Sequence, residues 1–446
     1  MLILSEAGGE NAMAHEVFHY HSKQEIEQTA RAQGVSLPWS EDTAVLAQPL
    51  SIGAHTARNR IALQPMEGTD GTAEGAPGEL TIRRYHRFAR GGAGLIWFEA
   101  VATAPEVRAS AHQLRITPEN LDSFKRLVDE MKEIGLKENG YAPVIIMQAT
   151  NSGRYSKPHG FPEPLIAYNN PVLEDTPLPP ERILSDAQLE RYEARFGEAA
   201  RLSQAAGFDG MDVKCCHRYL ACELLSAFTR PGKYGGSFEN RTRFLLNAYR
   251  AAKAEIHGDF FLTSRLNVYD GFAYPWGFGV KEGGGLVPDL TEAKRLVSIL
   301  KTEMHIPILD ITAGNPYKNP HVNRPYDHGN YVPDEHPFVG LSRMMDCVSQ
   351  IQRSQPDLPI IGSAFSYLRQ FSPMLAAGMV GQGRCAMAGF GRLAFADPDF
   401  PKKILAGQPL DAPCVACGGC AQLLRAGVPA GCVVRDRAVY SLNAMK

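Results

Sequence analysis

From Arg60 onward, short apolar runs alternate with longer amphipathic stretches. The apolar runs are Arg60–Gln64, Gly94–Val101, Pro143–Ala149, Phe208–Lys214, Phe260–Asn267, Ile306–Thr312, Leu358–Gly362 and Cys385–Gly389. Several are continuously apolar, the pattern of strands in a parallel sheet covered by helices. Between them, Pro118–Gly135 carries Leu121, Phe124, Leu127, Val128 and Met131 at helical spacing. Ser185–Ala206 opens with a Ser-x-x-Gln capping signal, and Glu239–His257, Leu290–Met304 and Val339–Ser354 read as further helices. Eight β/α units in succession predict an α/β fold, a (β/α)8 TIM barrel. A doubly wound sheet has the same periodicity and is the alternative. Residues 1–45 read as an N-terminal extension with a short helix over Ser22–Gln33, residues 46–407 as the barrel and 408–446 as a tail. The long loops Gly153–Arg182, Gly271–Asp289 and Ala313–Pro337 follow predicted strands three, five and six, on the face where barrel enzymes build their sites.

Composition narrows the function. The 446 residues are 44% hydrophobic and 21% charged, which fits a globular protein and excludes disorder, coiled coil and collagen-like repeats. With 46 Lys+Arg against 48 Asp+Glu, no net basic field favours nucleic acid or anionic membrane. The N-terminus lacks a secretory pattern and no window approaches a transmembrane span, so the expected location is cytoplasmic, with reduced thiols. Nine cysteines, an odd number, argue against a fully paired disulfide framework. Four of them, Cys414, Cys417, Cys420 and Cys432, fall in the last 33 residues as C-x-x-C-x-x-C plus a distal cysteine. That spacing favours a 4Fe-4S cluster. A zinc site, which usually uses two separated C-x-x-C pairs, and a chance group of free thiols are the alternatives. Cys222, Cys347 and Cys385 lie in helix- or strand-like segments and read as core thiols. There is no G-x-G-x-x-G opening a β/α unit, no P-loop, no H-E-x-x-H and no G-x-S-x-G.

The stretch Leu224–Phe244, LLSAFTRPGKYGGSFENRTRF, resembles the segment after the fourth barrel strand of the old yellow enzyme (NADH:flavin oxidoreductase) family. RNRIALQPM at Arg58–Met66, RYHRFARGGAGLIWFEA at Arg84–Ala100, QATNSGRYS at Gln148–Ser156 and GFGRLAFADPD at Gly389–Asp399 resemble further family segments. With the cysteine motif after the barrel, the resemblance is to the iron–sulfur subgroup containing bacterial 2,4-dienoyl-CoA reductases and trimethylamine dehydrogenase. It implies FMN held by Pro65, Met66 and Glu67 after the first strand, Ala100 after the second, Gln148, Arg265, and the phosphate-loop residues Gly362, Gly391 and Arg392. Gln148 would bond the flavin pyrimidine edge, and Arg265 would stabilise the reduced anionic flavin. Glu67 stands where relatives place Cys, Thr or His, and a carboxylate there would lower the flavin potential.

The substrate motif departs from the family pattern of two histidines. Lys214 replaces the first and His217 keeps the second. Both can still polarise a carbonyl oxygen. Tyr219 and Tyr155 match tyrosines assigned as proton donors. The implied function is ene reduction of an α,β-unsaturated carbonyl-type small molecule. Electrons would be relayed through the cluster from an external electron-transfer protein or reductase, with NAD(P)H as a further source. The alternative is an amine-type dehydrogenase exporting electrons through the cluster. A third reading is a non-enzymatic electron-transfer subunit. The subgroup normally carries a nucleotide-binding region after the cluster, whereas this sequence runs 14 residues past Cys432. The expectation is therefore an electron partner outside the chain, no nucleic-acid or membrane partner, and room for a homo-oligomer.

Overall fold

The computed structural model describes residues 15–327, 329 and 331–445. The apolar runs become parallel strands β1 (Ile61–Leu63), β2 (Leu95–Ala102), β3 (Val144–Thr150) and β4 (Gly210–Val213). The fifth, β5, comes in two pieces, Phe261–Thr263 and Arg265–Asn267, followed by β6 (Leu309–Thr312), β7 (Ile360–Gly362) and β8 (Met387–Phe390). Each pairs in parallel with the next, and β8 pairs with β1. The break in β5 has a local cause. The Arg265 backbone N–H donates to Asp212 Oδ1 at 2.9 Å instead of a ladder carbonyl. The ring closes across that break, because the first piece pairs with β4 and the second with β6.

Strand alternation sorts the core into two layers. Leu95 and Trp97 of β2 and Val144 and Ile146 of β3 point into the barrel with Ile361 and Met387. Ile96, Phe98, Ile145 and Met147 point outward, under the helices. A hairpin, Leu50–Ile52 with His55–Ala57, was too short to stand out in the sequence. Its Ile52 and Ala57 join the inner cluster and plug the end of the barrel where the strands begin. The upper interior is polar and faces the loops that carry the site.

Helices Glu79–Arg90, Leu121–Asn139, Asp186–Ala205, Phe238–Ala254, Thr291–Thr302, Pro337–Ser354 and Ser372–Gly381 surround the strands. The capping box expected at Ser185 is present, Ser185 and Gln188 exchanging hydrogen bonds. The first 14 residues of the extension lie outside the described residues. The rest holds the helix Lys23–Ala32, N-capped by Ser22. Phe18 packs edge-on against Tyr367 and Tyr20 against Phe338, so this segment is part of the barrel's outer core. Among the described residues no helix is long and apolar enough to cross a membrane.

Candidate active site

The strand ends open into a cleft enclosing about 1200 Å³ of atom-free space, its solvent-facing mouth included. Its floor is a buried network drawn from strands β1 to β6. Asp212 at the end of β4 accepts from Trp97 Nε1 at 2.8 Å and from Gln148 Nε2 at 2.6 Å. That commits the Gln148 amide nitrogen and leaves its carbonyl oxygen for a ligand N–H. Arg265 Nη2 donates to Gln64 Oε1 at 2.5 Å, and Gln64 Nε2 donates to Asp310 Oδ1 at 2.8 Å. The guanidinium also sits 3.0 Å from Asp310 Oδ2. Burial pushes the Asp212 carboxyl up to about 6 and the Asp310 carboxyl up to about 7, with Arg265 opposing the latter.

The loop after β4 carries the substrate-motif residues. Lys214, His217 and Tyr219 all line the cleft. His217 and Arg218 are both left-handed, with φ of 61° and 60°. That costly pair of conformations aims the His217 ring inward, where Nε2 is buried without a protein partner. Burial, with Arg265 and Lys214 nearby, drives the His217 pKa well below its ordinary value, so the ring is neutral. Lys214 Nζ lies 3.8 Å from the centroid of the Tyr219 ring. Burial lowers the Lys214 pKa, while Cys216 and Glu67 oppose the shift.

Pro65, Met66 and Glu67 follow β1 into the cleft, and Ala100 reaches it beside a β-bulge in β2. Glu67 Oε1 is buried and unpartnered, and burial pushes its carboxyl up to about 7. At the opposite wall, Gly391 and Arg392 line the cleft after β8. A Cβ on Gly391 would come within 2.9 Å of the Met66 sulfur, so the Met66 side chain would have to shift to admit one. Gly362 faces elsewhere: a Cβ there would meet Cys385, Phe365 and Val348 in the outer core. After β7 it is Ser363 and Ala364 that reach the cleft. Tyr155 also stands back from the lining. Its hydroxyl accepts from Asn315 Nδ2 at 2.7 Å, and its ring stacks on Tyr317 at 4.0 Å.

Several lining residues escaped the sequence reading. Tyr317 sits on the loop after β6, with its hydroxyl 3.1 Å from that of Tyr219. Arg324 lines the same wall as Arg392, and burial beside that second arginine lowers its pKa to about 10. Gln64 completes the floor. Neither Tyr317 nor Arg324 lies in a motif, and only the fold brings them to the cleft.

The four tail cysteines, Cys414, Cys417, Cys420 and Cys432, surround one small pocket behind Arg392 and Phe395. Backbone N–H groups of Ala416 and Arg435 donate to the sulfurs of Cys414 and Cys432 at 3.4 and 3.3 Å. Among the described residues no three His, Cys, Asp or Glu side chains are grouped tightly enough to hold a metal ion. Four sulfurs around a shared pocket are the donor set that either an iron–sulfur cube or a zinc ion takes. The other five cysteines, Cys215, Cys216, Cys222, Cys347 and Cys385, are buried and free. The cleft in turn suits FMN. It offers a free amide carbonyl on Gln148, a fixed guanidinium on Arg265, an orphaned imidazole nitrogen and a glycine-lined wall with two arginines.

Residues 45–411 match the NADH:flavin oxidoreductase / NADH oxidase family. The chain is 29% identical over 383 residues to an NADH oxidase of Thermoanaerobacter brockii, covering 83% of this chain and 52% of that protein. It is 27% identical over 405 residues to a cinnamate reductase of Clostridium sporogenes, covering 87% of this chain and 57% of that protein. It spans little more than half the length of these curated relatives. Among solved structures, a 2-naphthoyl-CoA reductase in complex with 2-naphthoyl-CoA superposes with a TM-score of 0.73 at 23% identity. That match covers 89% of this chain and 57% of the other, and speaks to the fold. With a family match across most of its length and a cleft suited to flavin, the chain belongs to the NADH:flavin oxidoreductase / NADH oxidase family.

Proposed function

We propose that the protein is an ene-reductase acting on an activated C=C bond conjugated to a carbonyl-type group. One observation carries the reading: Lys214, His217 and Tyr219 line the same cleft as Gln148 and Arg265. FMN, when bound, would supply hydride-transfer chemistry for the β-carbon of the alkene. Gln148, Arg265, Ala100 and Pro65–Glu67 would hold the flavin ring system. Arg392, Gly391 and the loop after Gly362 hold its phosphate. Lys214 Nζ and His217 Nε2 donate to the substrate carbonyl oxygen and stabilise the enolate charge. Tyr219 gives its hydroxyl proton to the α-carbon, and Tyr155, bonded to Asn315, is the second candidate.

The four tail cysteines would hold a 4Fe-4S cluster, which when bound would supply one-electron exchange with an external carrier; NAD(P)H is the direct alternative. A cytoplasmic location and a homo-oligomeric state accompany this reading. The amine-dehydrogenase alternative needs an open aromatic face for a cationic head group. Here Lys214 Nζ takes the Tyr219 face at 3.8 Å, which disfavours it.

The test is anaerobic. Reduced enzyme is mixed with cinnamate, 2-cyclohexenone and an enoyl thioester, and oxidised enzyme with a panel of amines, while the flavin absorbance is followed. Reoxidation by an alkene is expected. Bleaching by an amine, with no alkene reoxidising the flavin, would reverse the assignment. Metal analysis should find about four irons per FMN.

A further inference from the structure

We propose that Tyr317 and Arg425 are positioning residues that fix Tyr219 in the substrate cleft, so that the cysteine-bearing tail is a wall of the alkene site as well as a cofactor holder. This rests on the ene-reductase reading and adds to it a role for the tail in proton delivery.

The helix Gly419–Ala426 has two functional faces. Cys420 borders the cysteine pocket, and Cys420, Ala421, Leu424 and Arg425 line the substrate cleft. Arg425 Nη2 donates to the Pro316 carbonyl at 2.7 Å, across 109 residues of sequence. The next residue is Tyr317. Its backbone N–H donates to Asn315 Oδ1 at 2.8 Å, and its ring stacks on Tyr155. Its hydroxyl is, among the described residues, the protein hydrogen-bond partner of the Tyr219 hydroxyl. Contacts therefore run without a gap from Arg425 through Pro316 and Tyr317 to Tyr219. The tail is pinned on the other flank too. Thr69 Oγ1 donates to the Val428 carbonyl at 2.5 Å, and Ala430 N–H donates to the Gly68 carbonyl at 2.8 Å. Those anchors adjoin Glu67. The segment from Arg425 to Ala430 thus clasps the loops after β1 and β6, which flank the cleft.

The chemistry gives the clasp a purpose. When Tyr219 protonates the α-carbon, a C–H bond forms from the carbanion's electron pair. The Tyr219 O–H bond breaks and its electron pair stays on the phenolic oxygen. A buried phenolate is costly without a donor. Tyr317 donates its O–H to that oxygen and keeps its own proton, and water at the mouth of the cleft later returns a proton to Tyr219. Arg425 holds the Tyr317 backbone so that the two hydroxyls remain within bonding distance.

The experiment compares Tyr219→Phe, Tyr317→Phe, Arg425→Ala and Arg425→Lys holoenzymes. Flavin content and melting temperature confirm folding. Tyr317→Phe should slow reoxidation of reduced flavin by 2-cyclohexenone or cinnamate roughly tenfold, the size of a lost hydrogen bond to a charged group. Flavin reduction by dithionite should not change. The basic limb of the pH–rate profile should move to higher pH, because the Tyr219 phenolate has lost its donor. In flavin-free protein, the Tyr219 share of the near-ultraviolet phenolate titration should move the same way. It is obtained by subtracting the titration of Tyr219→Phe from that of wild type, and that of the double variant from that of Tyr317→Phe. Arg425→Ala should slow reoxidation likewise, and Arg425→Lys, which can still donate to the Pro316 carbonyl, should restore most of it. A slow Tyr219→Phe beside a wild-type Tyr317→Phe would overturn the role of Tyr317. A slow Tyr317→Phe beside a wild-type Arg425→Ala would overturn the clamp. Full-rate reoxidation by every probe in Tyr219→Phe would overturn the proton-donor reading beneath both.

Discussion

At the scale of single residues, the cleft collects ionisable groups that burial has pushed towards neutrality. On the ene-reductase reading, Lys214 and His217 are the pair that binds the substrate oxygen. Replacing Lys214 by Met should lower kcat/KM for carbonyl-conjugated alkenes about 10- to 100-fold, the cost of a charge-assisted hydrogen bond to the enolate oxygen. Flavin content should stay intact, as steady-state kinetics and absorbance would show. Equal loss of flavin and activity would instead make Lys214 a cofactor ligand. Glu67 offers a pH test. Its carboxyl titrates at about 7 in the folded chain, against 4.5 for an ordinary glutamate. Between those values the folded state holds a proton that the unfolded state releases. The contribution to stability is full below the lower value and is lost as pH rises through the upper one. Glu67→Gln removes this loss. It should stabilise the protein at about pH 8 by on the order of 2 kcal/mol, because part of the side chain stays accessible to solvent, and by nothing near pH 4. Denaturant unfolding at the two pH values measures it, and a gain independent of pH would contradict the shift. The place of Lys214, His217 and Tyr219 in the cleft was legible because they lie just before the recognisable segment Leu224–Phe244. Tyr317 was not, because its significance is a hydroxyl 3.1 Å away from a residue 98 positions earlier.

At the scale of elements, the loop after β4 is held by a device no local pattern announces. Arg218 is fully buried, left-handed at φ 60°, and paired with Asp270 Oδ2 at 2.8 Å. Ser226 and Tyr168 accept from the same guanidinium. Asp270 in turn accepts from Asn267 Nδ2 and from the Phe278 N–H, both at 2.8 Å, so the loops after β4 and β5 are locked together. Asp270→Asn leaves a buried guanidinium without its counter-charge and should cost about 3–5 kcal/mol, seen as a lower denaturant midpoint. Adding Arg218→Met to that variant should recover part of the loss, since the desolvated charge is then gone. A double variant worse than the single would show that the pair itself, and not the orphaned charge, governs stability. The strands themselves were readable, since fully buried β2 and β3 are apolar but for Glu99 in the first and Gln148 and Thr150 in the second. The interruption of β5 was not readable, because a side chain from another strand, Asp212, takes the backbone N–H.

At the scale of the whole molecule, the barrel and the tail are unequal partners. The barrel has both layers of the core, and most of the cleft lining comes from strands β1 to β8 and their loops. The tail adds a satellite cluster of Leu423, Ala430 and Tyr440, fastened by Asp436 to Arg83 and Arg87 at 2.7 and 2.6 Å. Ion pairs of this exposure contribute little, and so small a cluster rarely holds a fold without a metal. The cysteine spacing singled out the four tail thiols, which the fold gathers around one pocket. The tail's second face, on the substrate cleft, depends on long-range contacts and was not legible. If the four thiolates carry the proposed iron–sulfur cluster, the cluster supplies most of the tail's folding energy. Cys417→Ser, or chelation of iron from the wild-type chain, should then unfold residues beyond about 410 while the barrel keeps its flavin. Limited proteolysis should trim the tail from the iron-free protein and spare it in the iron-loaded form. The flavin absorbance and the circular dichroism of the barrel should persist in both. Reoxidation by alkenes should nevertheless slow in the trimmed protein, because Arg425 leaves with the tail and Tyr317 loses its anchor. Release of flavin together with iron would show instead that the tail is part of the flavin site's foundation. A tail that resists protease without iron would show that the four thiols need no cluster to fold.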